Sequence, residues 1–229
     1  MKLVVGTRGS NLALVQTNWV VEQLKKNNPD IEFEIKIIKT KGDLIKDLPL
    51  DKIGDKGLFV KEIEKSLLDK EIDMAVHSMK DMPSYLPEGL KFAHSPRRED
   101  PRDALIFREG YKTLEDLPQG AKIGTGSKRR KYQLLKHRPD LEIVPIRGNI
   151  ETRIKKIETE NLDGVVLAAS GLRRAGLEEK IDYYIPTDIM LPAPAQGILA
   201  LEIREDDKET EKIIDSIKDN ITKVQIDAE

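Results

Sequence analysis

Ser95-Pro96-Arg97-Arg98-Glu99-Asp100-Pro101-Arg102 places two prolines and five charged residues in eight positions. Proline fixes φ and carries no amide donor, so such a stretch reads as a crossing between units, not as part of a sheet or helix. Before it, residues 2–5 form a short apolar run that ends in Gly6-Thr7-Arg8-Gly9-Ser10, the pattern of a buried strand and a tight turn. Ser10 is placed to N-cap a helix running to about Lys26. Ile31, Phe33, Ile35 and Ile37 alternate with charged residues, which predicts a strand. Residues 43–56 have no clear period and include Pro49 and Gly54, so they read as a long mobile loop. A helix is expected over residues 58–70 (Phe59, Ile63, Leu67), a buried strand over 72–76 and another strand near 90–93.

After the crossing a second series begins. Strands are expected near residues 104–107, 122–124, 142–146 and 164–168, and helices near 127–137, 150–160 and 170–175. Residues 186–194 carry Pro186, Pro192 and Pro194 and read as a second crossing. A strand at 198–203 and a helix at 208–220, with Ile213, Ile214 and Ile217 inward, follow it. Alternating strands and helices define an α/β protein. The expectation is two domains, each a mainly parallel or mixed sheet flanked by helices, joined by two hinge crossings. Domain 1 would comprise residues 1–96 and 193–218, domain 2 residues 97–192, and residues 219–229 would begin a linker. Two crossings predict a cleft with a hinge, an arrangement similar to that of periplasmic solute-binding proteins.

Composition narrows the function. The 229 residues are 38% hydrophobic and 35% charged, with a formal net charge of −2. Bulk electrostatics therefore do not favour a polyanion partner. Between Lys122 and Lys156, however, eleven Lys or Arg stand against three acids, while from Glu202 to Glu229 ten acids stand against five bases. A basic region in a near-neutral chain suggests an anionic ligand held at one place. There is no cysteine, which excludes disulfides, thiolate metal sites and cysteine nucleophiles. Three scattered histidines predict no metal site. No apolar run approaches the roughly 20 residues of a membrane span, and no signal peptide is evident, so a cytoplasmic protein without a membrane partner is expected.

Three turns between strand and helix are polar or basic: Thr7-Arg8-Gly9-Ser10, Gly124-Thr125-Gly126-Ser127-Lys128-Arg129-Arg130 and Ile146-Arg147-Gly148-Asn149. Free amides at a helix start attract an oxyanion, and arginine adds a bidentate fork for carboxylates. Any one such arginine reads as solvated surface charge; three turns together read as a carboxylate site at the carboxyl ends of the strands. The second turn lacks the spacing of a phosphate-binding P-loop. The basic run at 128–131 has only Tyr132 beside it, a poor stacking platform for nucleic acid. Asp81, after the buried strand and beside Lys80, reads either as a helix cap or ion pair or as a carboxylate that stabilises a cation. His77 reads as a satisfied structural group, Trp19 as core, and Glu205, Asp206 and Asp207 as a solvated helix start.

Val76-His77-Ser78-Met79-Lys80-Asp81-Met82-Pro83 resembles the motif around the catalytic aspartate of porphobilinogen deaminases. Thr7-Arg8-Gly9-Ser10-Asn11-Leu12-Ala13-Leu14, Lys56-Gly57-Leu58-Phe59-Val60-Lys61-Glu62, Arg98-Glu99-Asp100-Pro101-Arg102-Asp103-Ala104 and Ile146-Arg147-Gly148-Asn149 resemble others. So do Ala168-Ala169-Ser170-Gly171-Leu172-Arg173-Arg174 and Leu191-Pro192-Ala193-Pro194-Ala195-Gln196-Gly197, in family order along nearly the whole chain. The resemblance implies a hydroxymethylbilane synthase, which joins four porphobilinogen molecules head to tail with release of ammonia in haem biosynthesis. It implies that Arg8, Ser10, Lys80, Asp81, Ser127, Arg129, Arg130, Arg147 and Arg174 bind a dipyrromethane cofactor. Arg8, Arg147, Arg153 and Gln196 would bind substrate, and Lys52 and Lys56 would lie in a loop over the site. Asp81 would contact pyrrole nitrogens and stabilise the azafulvene cation.

Family members attach the cofactor through a thioether to a cysteine in a third, α+β domain. This chain has no cysteine and ends at Ile226-Asp227-Ala228-Glu229, where members enter that domain. The expectation is therefore domains 1 and 2 only, no covalent cofactor, and no turnover by this chain alone. The expected partners are porphobilinogen and linear polypyrrole carboxylates, with no nucleic acid, and the expected state is a monomer. Two other readings stay open: a binding protein without catalysis, and a nucleic-acid module using residues 128–131.

Overall fold

The computed structural model describes residues 1–44, 60–83 and 85–229. Lys52 and Lys56, and most of the expected loop at 43–56, lie outside the described residues. The chain divides into two compact units. Unit 1 comprises Met1–Arg98 and Ile198–Glu229, and unit 2 comprises Glu99–Gly197. Among the described residues no helix is long and apolar enough to cross a membrane.

Unit 1 is built on β1 (Lys2–Thr7), β2 (Glu32–Ile37), β3 (Met74–Ser78), β4 (Leu90–Phe92) and β10 (Leu199–Arg204). Their order in the sheet is β2-β1-β3-β10-β4. β1 runs parallel to β2 and β3, whereas β10 is antiparallel to β3 and β4. Side chains alternate across a strand, so one run supplies two cores. Leu3, Val5, Met74, Val76, Leu201 and Ile203 turn to one face. There they meet Val20, Val21 and Leu24 of α1 (Asn11–Asn27) and Ile213 and Ile214 of α7 (Lys208–Ile214). Ile72, Ala75 and Leu90 turn the other way, onto Ile63 and Leu67 of α3 (Lys61–Leu68). A short helix α2 (Lys41–Leu44) follows β2.

Unit 2 repeats the scheme. β5 (Asp103–Phe107), β6 (Lys122–Gly124), β7 (Glu142–Val144), β8 (Gly164–Ala168) and β9 (Tyr183–Tyr184) are ordered β7-β6-β8-β5-β9. β6 is parallel to β7 and β8, and β5 is antiparallel to β8 and β9. Leu105, Phe107, Ile123 and Val166 pack with Leu134 of α4 (Lys128–His137). Ala104, Ile106, Val165 and Leu167 pack with Ile157 of α5 (Ile150–Thr159) and Leu172 of α6 (Ala169–Arg174).

Three expectations change. The helix expected over 208–220 is two helices: α7 ends at Ile214, a 3-10 turn spans Asp215–Ile217, and α8 (Asn220–Ala228) follows. Lys218 is extended (φ −60, ψ 145), and the Asp219 side chain caps α8 by accepting from Thr222 N at 2.7 Å. Residues 219–229 are thus mostly a capped helix of unit 1. Trp19 is exposed at 36%, because the buried stripe of α1 runs through Gln16, Thr17, Val20, Val21 and Leu24 and leaves Trp19 on its flank. The two-residue strand β9 had no counterpart in the sequence reading.

Candidate functional site

In unit 1 the turns after β1 and β3 carry the expected residues. These strands are parallel neighbours (Val5 opposite Met74, Gly6 opposite Ala75), so their carboxyl ends share one edge of the sheet. Ser10 ends the first turn and caps α1, accepting from Ala13 N at 3.3 Å. Arg8 sits half-buried in that turn. The second turn is a 3-10 turn over Met79–Asp81, held to the residue preceding β10 by Met79 N donating to Ile198 O at 3.0 Å. Gln16 of α1 donates through Nε2 to Ser78 Oγ at 3.1 Å and ties α1 to the end of β3. Lys80 and Asp81 are both exposed, and among the described residues none hydrogen-bonds the Asp81 carboxylate. Among the described residues it makes neither a helix cap nor an ion pair.

His77, one turn before Asp81, is buried, with Nε2 2.9 Å from Glu202 Oε2 of β10. It is a satisfied structural group, as its place in a buried strand suggested.

In unit 2 the carboxyl ends of β6, β7 and β8 lie side by side. Ser127 caps α4, accepting from Arg130 N at 3.4 Å, and Asn149 caps α5, accepting from Thr152 N at 2.8 Å. The turn into α4 runs so close to its neighbour that a Cβ on Gly126 would lie 2.7 Å from Ile146 O. Arg147 follows β7 and keeps a buried Nη1 with no hydrogen-bond partner among the described residues. Arg153 bends back to Gly148 O through Nε at 2.7 Å. Arg174 donates to Gly197 O at 2.7 Å. Burial lowers the pKa of its guanidinium to about 10, with Glu99 the opposing charge, so it stays cationic at neutral pH.

Asp103 organises this edge and was not singled out in the sequence. It opens β5, antiparallel to β8, which sets it opposite Ala168 where β8 ends. The residue is fully buried. Its Oδ1 accepts from Arg130 Nε (3.0 Å) and Nη2 (2.8 Å) and from Gln196 Nε2 (3.0 Å). Arg129 Nη2 lies 2.7 Å from Oδ2. Burial pushes the Asp103 carboxyl up, but the charges of Arg130 and Arg129 and the Gln196 hydrogen bond outweigh it and hold it below its ordinary value. Arg130 also donates to Val166 O at 3.1 Å, and Gln196 to Pro101 O at 2.6 Å. Both side chains are thus built into unit 2 itself. The available signal was an acid heading an apolar strand (Asp103-Ala104-Leu105-Ile106-Phe107), unusual unless paired. Among the described residues no cluster of three or more His, Asp or Glu side chains is placed to hold a metal ion.

Two mixed α/β units with basic turns at the carboxyl edges of their strands define an α/β protein with a periplasmic-binding-protein-like fold. The fold is similar to that of a probable amino-acid ABC transporter extracellular-binding protein from Bacillus subtilis (TM-score 0.57, 12% identity, 100% of this chain and 95% of that chain). It is also similar to the VFT2 domain of Bordetella pertussis BvgS (TM-score 0.54, 15% identity, 100% and 92%). The chain belongs to the porphobilinogen deaminase family. The family model "porphobilinogen deaminase, dipyromethane cofactor binding domain" matches residues 3–212. The porphobilinogen deaminase of Clostridioides difficile (strain 630) is 69% identical over 229 residues, covering 100% of this chain and 76% of the relative. That of Clostridium novyi (strain NT) is 62% identical over 232 residues, covering 100% and 77%.

The family's activity is that of hydroxymethylbilane synthase, a transferase that condenses four porphobilinogen molecules into hydroxymethylbilane and releases ammonia. Its cofactor is a dipyrromethane, whose pyrroles carry carboxylate arms. The orphaned Nη1 of Arg147 and the under-neutralised Arg174 fit such a polyanion. The thioether does not fit: this sequence has no cysteine to form it.

Proposed function

We propose that this chain binds porphobilinogen and short linear polypyrroles by their acetate and propionate groups, and that Asp81 acts on the reacting pyrrole. The observation that carries the reading is Arg147, whose buried Nη1 has no hydrogen-bond partner among the described residues. A buried donor left unmade is costly, and a ligand carboxylate satisfies it. Arg8, Ser10, Lys80, Ser127, Arg129, Arg147, Arg153 and Arg174 are the proposed carboxylate holders. Arg130 and Gln196, buried and bonded to Asp103, act from behind them.

When bound, the dipyrromethane supplies the primer onto which pyrroles are added. Asp81 accepts a pyrrole N–H and stabilises the positive charge that develops as ammonia leaves. Its exposure and its lack of a bond to any described residue support this role. Lacking a thioether anchor, the chain holds any dipyrromethane only non-covalently, and turnover by the chain alone is negligible. Its working state is a cytoplasmic monomer with no nucleic-acid or membrane partner; the net charge of −2, which gives no bulk attraction for nucleic acid, supports this.

Calorimetric titration with porphobilinogen, with intact mass and ammonia release recorded on the same sample, tests this. Saturable binding, an unchanged mass and no ammonia are expected. The absence of saturable binding refutes the carboxylate site, and formation of hydroxymethylbilane refutes the proposed inactivity. Asp81→Asn should fold as the parent does, within about 0.5 kcal/mol, because the side chain is exposed.

A further inference from the structure

Arg129 and Arg130 are adjacent on α4 and share one carboxylate, yet they are held differently. Arg130 is 6% exposed, and its Nε, Nη1 and Nη2 are all used, on Asp103 and Val166 O. The Arg129 side chain is 25% exposed. It is pinned at two points, Nη1 on Leu191 O at 2.6 Å and Nη2 2.7 Å from Asp103 Oδ2. Oδ1 of Asp103 already takes Arg130 and Gln196, so Oδ2 is left for Arg129.

We infer that Asp103 is a positioning residue for the family reaction: it anchors Arg130 permanently and holds Arg129 at the surface until a ligand carboxylate takes the Arg129 guanidinium over. Two guanidiniums on one carboxylate leave one positive charge uncompensated, and an incoming acetate or propionate neutralises it. The exchange replaces the ion pair of Arg129 with Asp103 by one with the ligand carboxylate. The rotamer freedom of Arg129 is lost before the ligand arrives, so binding does not have to remove it. Topology explains why the carboxylate stands there. An antiparallel β5 brings its first residue to the edge where the parallel β6 and β8 end, and that edge carries the basic turns. This inference rests on the carboxylate-binding reading above.

The test is porphobilinogen affinity, measured by calorimetry on the wild-type chain, Arg129→Met, Asp103→Asn and the double variant. Asp103→Asn should weaken binding about tenfold, the size of a lost charged hydrogen bond. In that background Arg129→Met should cost little more, because Arg129 is no longer held. If Asp103 were only structural, Arg129→Met would weaken binding equally in both backgrounds, and that result overturns the inference. Unchanged or tighter binding by folded Asp103→Asn overturns it too. Asp103→Asn leaves Arg130 buried without its partner; should it fail to fold, Asp103→Asn with Arg130→Met removes both halves of the pair, which cores often tolerate. The same tenfold loss is expected there, and wild-type affinity in that folded variant overturns the inference. Failure of the wild-type chain to bind porphobilinogen removes the functional reading and this inference together, whereas wild-type binding with no effect of Asp103 removes the inference alone.

Discussion

Nε2 of His77 stands 2.9 Å from Oε2 of Glu202, and both side chains are buried between β3 and β10. The other oxygen of Glu202 is buried without a partner among the described residues. Removing one half of a buried ionisable pair leaves the other uncompensated, at a cost of about 3 kcal/mol or more. Glu202→Leu should therefore lower the urea midpoint by that equivalent with an unchanged slope. A midpoint within 0.5 kcal/mol of the parent, allowing about that much for a surface change, would show that the pair contributes no stability.

Glu64 of α3 brings a second carboxyl to this core. Burial, and next the charge of Glu202, raise its pKa above 4.5, with His77 and Lys61 opposing. A carboxyl that binds its proton more tightly folded than unfolded contributes stability below 4.5 that is lost as pH rises through the folded value. Glu64→Gln should lack this loss. Melting curves of the variant and the parent, taken from about pH 4 to pH 7, should show the variant gaining on the parent as pH rises. A constant difference would mean that Glu64 titrates normally.

Thr222, 1% exposed on α8, accepts the Arg98 amide through Oγ1 at 2.8 Å, and Asp219 N donates to Ser95 O at 3.0 Å. The Arg98 guanidinium also meets Glu229 at 2.5 and 3.1 Å. Thr222→Val keeps the shape and removes the acceptor. It should cost about 1–3 kcal/mol and speed hydrogen exchange at the Arg98 amide. Unchanged exchange there would show that the threonine hydroxyl is dispensable.

A methyl group on Gly126 meets a carbonyl oxygen rather than a flexible side chain. Gly126→Ala should therefore displace the turn that presents Ser127 and Arg129, destabilising unit 2 by about 1–3 kcal/mol and weakening porphobilinogen binding. Wild-type affinity in the folded variant would separate that turn from ligand binding.

Much of this architecture was legible because local signals and tertiary structure agree. Ser10, Ser127 and Asn149 each precede a helix and each accept an amide of its first turn. The strand at Met74–Ser78 is buried at every residue but its last and lies centrally between β1 and β10. The break after Ile214 was less visible because no glycine or proline marks it; its signal was the capping pair Asp219 and Thr222. Trp19 misled because size suggests burial, while helical phase sets it beside the buried stripe. The division of labour between Arg129 and Arg130 is not encoded locally. It depends on Asp103, more than twenty residues away in sequence, which reaches them through an antiparallel pairing.

The central position of β10 has a consequence for biosynthesis. β10 lies between β3 and β4, yet it follows all of unit 2 in the chain. As the polypeptide leaves the ribosome, the first ninety-eight residues lack the strand that joins β3 to β4, whereas residues 99–197 already hold every strand of their own sheet. Domains that form during synthesis usually do so from the N-terminus onward. Here the order is inverted: the unit begun second is completed first, and the nascent β3 edge stays open to wrong pairings until residues 199–204 emerge to fill it.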